Sequence, residues 1–152
     1  MKKVRKSTIA IMIAVGVTLV LLIAWNGPRN RIELFMERGA IETAVRTYFQ
    51  AEMQQDYPKL YACLAPSSAY RRTHTYQQFL NDVENSPVKI QSYQIVDIYR
   101  LRSNRDRKTY PSVDRFVQVE VDVDLNFADT GTKSTCNYCF TFLKEKGAWY
   151  KG

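Results

Sequence analysis

An acid that moves protons must sit where water does not hold its charge, and one carboxylate on the chain has such a setting. Asp97 lies within the strand-like stretch Tyr93 to Arg102. With a period of two it shares a face with Tyr93, Ile95, Tyr99 and Leu101, while the opposite face ends in Arg100 and Arg102. Desolvation on the more apolar face would raise its pKa and make it a candidate general acid or base, with tyrosine hydroxyls as donors to a developing oxyanion. The simpler reading is a rim residue paired with an arginine, since one carboxylate without a matched partner makes a weak site. The chain has 10 tyrosines, and a tyrosine joins an apolar body to a polar tip. Tyr48, Tyr57, Tyr61, Tyr70, Tyr76, Tyr93 and Tyr99 therefore suit a lined cavity or a protein interface, or simply the core and its rim. Tyr48, Tyr61, Tyr76, Tyr93 and Tyr99 with Asp97 form the candidate pocket set.

Metal and redox chemistry find little support. His74 is the only histidine, in the polar run Arg71 to Thr75, so no zinc set can be assembled. Cys136-x-x-Cys139 falls in a strand-like segment, where residues three apart point to opposite faces and their sulfurs diverge. A disulfide between Cys63 and Cys136 is chemically open in an oxidising compartment, beside the alternative of buried free thiols. Neither a metal nor a cofactor is expected. The acids Glu120, Asp122 and Asp124 line one strand face, which protects a sheet edge or pairs across strands with Arg100, Arg102, Arg105, Arg107 and Lys108. The basic group could also meet an anionic lipid or polymer.

The formal charge is +7, from 22 basic and 15 acidic residues. Four of the basic residues are Lys2, Lys3, Arg5 and Lys6, which leaves 18 basic against 15 acidic, or +3, for the rest. That excess is too small for a nucleic-acid footprint. Ser7 to Trp25 carries no charge and would span roughly 28 Å as a helix, close to a hydrocarbon core of about 30 Å. With a basic flank before it and Trp25 at its end, the segment reads as a transmembrane helix in contact with the lipid bilayer through residues 7–25. The N-terminus is then cytoplasmic and the C-terminal domain extracytoplasmic. A cleaved signal peptide is the alternative, although its apolar region is usually shorter and ends in small residues. The expected organisation is a basic tail over 1–6, the transmembrane helix over 7–25, a helical linker over 26–39 and one domain over 40–152.

Asn26-Gly27-Pro28 breaks the first helix, and Asn30 with Glu33 opens another. Ile41, Val45, Tyr48, Phe49 and Met53 keep helical spacing, with Gly39 as a possible kink. Asp56-Tyr57-Pro58 starts a short helix that stops at Ala65-Pro66, and Thr75-x-x-Gln78 is a capping box for a helix through about Val83. Thereafter the period is two. From Phe116 to Phe127, valines 117, 119, 121 and 123 with Leu125 and Phe127 alternate with polar residues, as in a half-buried antiparallel strand. A turn centred on Thr130-Gly131 would place Val121 opposite Phe140 and Val123 opposite Tyr138. Cys136, Tyr138, Phe140, Phe142 and Trp149 would then join the valine face. Helices first and a strand meander afterwards give the α+β class.

This order resembles the nuclear transport factor two-like superfamily over roughly residues 40–152. The likeness rests on Ala44 to Pro66, with its D-Y-x-x-L-Y-x-x-L pattern, and on the closing Gly147-Ala148-Trp149-Tyr150. It implies helices packed on a curved antiparallel sheet, the cone of that superfamily, here following the N-terminal transmembrane helix read from residues 7–25. The tethered members of the group imply a membrane-anchored extracytoplasmic binding or assembly module, non-catalytic, with a protein partner or a second copy of the chain. The isomerase-, dehydratase- and cyclase-like members imply the alternative, a small-molecule-binding enzyme or carrier with Asp97 and nearby tyrosines inside the cone. An accessory domain whose sheet edge captures a peptide is a third possibility.

Overall fold

The computed structural model describes every residue except Met1 and Trp25, with side chains placed for Thr8, 11–21 and 27–152. It divides into two compact units, Met1–Met36 and Glu37–Gly152.

The first unit is helical. Helix α1 is Lys2–Ala24, and α2, Asn26–Met53, begins after it and runs on into the second unit. Pro28 is accommodated in the first turn of α2, where its missing N–H costs nothing. The break expected around Asn26-Gly27-Pro28 is thus confined to the start of α2, and Gly39 lies within the helix. The large apolar side chains between Ile11 and Leu21 are 53–66% exposed. Among the described residues no helix is long and apolar enough to cross a membrane. The side chains of Ser7, Ile9, Ala10 and 22–25, all within the expected span, lie outside the described residues.

The second unit is α+β, with helices packed on one antiparallel sheet. Helix α3, Tyr57–Cys63, starts where Asp56 accepts the Lys59 N–H at 3.2 Å and Pro58 fills the first turn. Helix α4, Ala69–Thr73, falls where only a polar loop was expected and is capped by Ser68. Helix α5, Tyr76–Glu84, carries the full Thr75/Gln78 capping box. Strands β1 (Val88–Ser103), β2 (Val113–Phe127), β3 (Lys133–Glu145) and β4 (Ala148–Lys151) form a meander in the order β1-β2-β3-β4. Between β3 and β4, Lys146 and Gly147 both adopt positive φ, 50° and 83°, as a tight two-residue hairpin turn requires.

The core lies between α2 and the valine face of the sheet. Ile41, Val45 and Phe49 are fully buried, as are Val117, Val119 and Val121. The Phe49 ring stacks on Tyr93 at 4.8 Å and meets Phe140 edge-on at 5.5 Å. At the start of this unit, Glu37 accepts hydrogen bonds from Lys144 and, at 3.0 Å, from the Trp149 indole. The Lys144 contact is the main reason its pKa is lowered, with Trp149 second and burial opposing both.

The register departs from expectation by an even number. Val121 pairs with Tyr138 and Val123 with Cys136, so the turn is centred one residue earlier, between Asp129 and Thr130. A two-residue offset leaves each side chain on its expected face. β1 behaves differently. Its pairing shifts at Ile90/Ser92, Ile95/Asp97 and Tyr99/Arg102, and Arg100 takes a left-handed φ of 53°. Each bulge adds a residue and resets the alternation. The inward set is therefore Tyr93, Ile95, Ile98 and Leu101, instead of a run through Asp97 and Tyr99.

Truncating the ring at the centre of this packing is expected to be expensive. Phe49→Ala should lower stability by about 3–5 kcal/mol, seen as a lower urea midpoint at unchanged slope. A loss below about 1 kcal/mol would mean that the helix and the sheet do not depend on this contact.

Candidate functional site

Below the C-terminal half of α2, the helices and the sheet do not fill the space between them. A cavity of about 500 Å³ opens there, walled by Tyr48, Leu60, Phe79 and Val83 from the helices and by Val88 and Ile90 from β1. Its volume is in the usual range for small-molecule sites, which pair apolar walls with a few placed polar groups. Glu52 is the most consequential of these. It falls at helical spacing after Val45, Tyr48 and Phe49, so the turn that buries the core also carries a carboxylate inward. Its Oε2 is buried and has no hydrogen-bond partner among the described residues. Burial raises its pKa, opposed in part by the Tyr48 hydroxyl and by the charges of Lys151 and Lys89.

Tyr48, one turn earlier on α2, has its own pKa raised by burial first and by Glu52 second. Lys151 arrives from the opposite side on β4. The Ala65 N–H donates to the Lys151 carbonyl at 2.7 Å, and Leu64 forms a parallel bridge with the same residue, fixing β4 against the end of α3. Burial lowers the pKa of the Lys151 ammonium while Glu52 opposes that shift. Its Nζ donates to the Gly152 carbonyl at 2.8 Å. The other charged groups of the wall are also engaged. Lys89 Nζ donates to the Val83 carbonyl at 2.9 Å, and the Tyr70 hydroxyl donates to Asp82 at 2.6 Å. Burial, then Asp82, pushes the Tyr70 pKa up to about 12. A buried carboxyl with a raised pKa beside a phenol and an ammonium can accept, hold or return a proton at a bound molecule.

Of the sequence-predicted pocket residues, Tyr48 lines this cavity. Tyr61 and Tyr76 pack with Phe79 in an aromatic cluster, their own rings 5.1 Å apart, and Arg71 lies 4.5 Å over Tyr61. Tyr93 is stacked in the core on Phe49. Asp97 and Tyr99 are not inside. The bulge before Asp97 turns it to the outer face opposite Glu120, where its carboxylate accepts the Ile98 N–H at 2.7 Å. Tyr99 follows onto that face and meets Cys139 Sγ at 3.2 Å.

The remaining polar candidates are also on the outside or apart. Cys63, Cys136 and Cys139 are free, so the Cys63–Cys136 disulfide is not formed. Cys63 is on α3 with Lys59 and Asp56 as its charged neighbours, whereas Cys136 pairs with Val123 on β3. His74 stacks on Tyr70 at 4.2 Å instead of standing free in a loop. Asp122 and Asp124 bond Asn137 at 2.7 Å and Thr135 at 2.6 Å, with Ser92 also on Asp124. Among the described residues the expected arginine partners lie elsewhere: Arg100 donates to Gln118 at 3.3 Å, Arg102 is opposite Phe116, and Arg107 reaches Asp114 at 3.9 Å. Glu52, Asp82 and Lys151 were missed. Glu52 could have been found as a charged residue at an apolar helical position, and Lys151 from its alternation with Trp149.

No protein-family model matches the chain, and no curated protein does. Among solved structures it is similar to a ketosteroid isomerase-like protein from Erwinia carotovora atroseptica SCRI1043. The TM-score is 0.49 and the identity 16%, over 76% of this chain and 90% of that one.

A raised carboxyl pKa fixes the sign of a pH effect. The folded state holds the Glu52 proton more tightly than the unfolded one. That stability is fully present below the unfolded pKa and is lost as pH rises through the folded pKa. Glu52→Gln, uncharged throughout, should therefore melt above the wild type at neutral pH, with the gap closing below about pH 4. Thermal melts across that range measure it, and a gap independent of pH would put the carboxylate in water.

Proposed function

We propose that residues 37–152 are a small-molecule-binding domain of the nuclear transport factor two-like type, using the interior of the cone. The observation that carries this is the cavity of about 500 Å³ with a half-buried Glu52 aimed into it. A buried carboxyl oxygen without a hydrogen-bond partner costs free energy, and a ligand that supplies the partner recovers it. Tyr48 and Lys151 make the same position suitable for proton exchange with the bound molecule, which is the isomerase-like branch of the resemblance. The carboxylate of this reading is Glu52, in place of Asp97.

A thermal-shift screen of small apolar molecules tests it. A ligand held at about 100 times its Kd stabilises by about 2.7 kcal/mol, which for a domain of this size is a rise of several degrees. Val83→Trp, which fills the hollow from α5, should abolish the shift. Hits that stabilise the blocked variant equally well would refute the cavity as their site.

A second reading concerns the first unit, and the exposed apolar side chains from Ile11 to Leu21 favour it. In water such a surface is costly, and in a bilayer it is not. With the uncharged run Ser7 to Trp25 and the basic residues before it, this supports a single-pass tether with the domain on the extracytoplasmic side. The full chain should then stay with membranes through alkaline carbonate washing, and a chain lacking residues 1–25 should not. Recovery of the intact full chain in the detergent-free soluble fraction would rule the tether out.

A further inference from the structure

The charged and polar groups of the cavity wall differ in what they leave available. Lys89 is held by the Val83 carbonyl, Lys151 by the Gly152 carbonyl, and one Asp82 oxygen by the Tyr70 hydroxyl. Glu52 Oε2 is the buried polar atom of the wall that no group in the described residues satisfies. A carboxyl keeps acceptor capacity in either protonation state, being acceptor-only when ionised and retaining its carbonyl oxygen when protonated. In the ionised form both oxygens only accept, so what Oε2 then lacks is a donor.

The balance of charge narrows the ligand further. A cation entering the hollow would meet Lys89 and Lys151, and an anion would meet Glu52 and Asp82. An uncharged molecule meets neither penalty. The walls that remain, Tyr48, Tyr57, Leu60, Phe79, Val83 and Ile90, favour an apolar or aromatic body. Resting on the small-molecule reading above, we infer that the ligand class is an uncharged, largely apolar alcohol or phenol whose hydroxyl donates to Glu52 Oε2. Glu52 then sets specificity by rejecting a molecule of the same shape that lacks the donor, because the buried oxygen stays unsatisfied.

Three probes of one shape separate the possibilities: 2-naphthol, its methyl ether and 2-naphthylmethylamine, the last of which is cationic at neutral pH. Affinities for the full-length protein are measured by calorimetry, and for Glu52→Leu beside it. Naphthol should bind about tenfold or more tighter than the ether, and the amine should bind more weakly than naphthol. In Glu52→Leu the ether should still bind while the preference for naphthol disappears, so retained ether binding shows that the variant is folded. Equal binding of naphthol and ether by the wild type, tighter binding of the amine, or a naphthol preference that survives in Glu52→Leu would each overturn the donor assignment and leave the cavity reading standing. Failure of all three probes to bind the wild type would overturn both.

Discussion

The contact on which the second unit depends is the burial of one helical face, Ile41, Val45 and Phe49, against the valines of β2. Both partners are built from residues that have no other use. A helix buries a stripe at every third or fourth position, a strand buries every second residue, and the two stripes can be dry together only in one arrangement. Phe49, held between Tyr93 and Phe140, fixes where along the sheet that arrangement falls. Glu37 adds direction, since its bonds to Lys144 and Trp149 tie the helix to the opposite end of the sheet.

The cavity follows from the same geometry. β1 is interrupted by bulges, and beyond Phe49 the helix and the sheet leave a space between them. α3 and α5 close the side of the gap without filling it, and Leu60 and Phe79 form its apolar wall. Glu52 is the next residue on the buried stripe after Phe49. The packing that stabilises the unit therefore also places a carboxylate at the mouth of the unfilled space. At the other end of the sheet the opposite face is closed as well. Val113, Phe116 and Leu143 pack under Tyr110 and Ala65. Glu145, 2% exposed, accepts the Ser112 hydroxyl at 2.6 Å and the Ser67 N–H at 3.2 Å. Burial would raise the pKa of Glu145, and these bonds outweigh it and hold the carboxyl below its usual range.

Most of the fold was legible in the sequence because hydrophobic period is a local signal. The Asp56 and Thr75 caps, the alternation of β2 and the two-residue turn at Lys146-Gly147 all act over a few positions, and each was readable from residue type alone. The register of β3 was missed by two positions because one turn of slightly different length satisfies the same alternation. The site was less legible, for a specific reason. Asp97 was chosen by extending a strict period of two through β1, and bulges leave no signature in such a pattern when the residues around them are mixed. Glu52 was overlooked because a glutamate on a helix is ordinarily solvated. Its significance lies in what faces it across the fold, Lys151, almost a hundred positions away.

The bridge between Leu64 and Lys151 has a dynamic consequence. β4 is four residues long and meets β3 through four residue pairs, so it relies on the Ala65 N–H for part of its hold. Leu64 and Lys151 both line the hollow. Any excursion that releases the last strand therefore also parts the rim, and solvent reaches the interior in the same event. Deuterium uptake at the Ala65 amide would time the door as well as the strand, and an occupant bridging both sides would slow the two together.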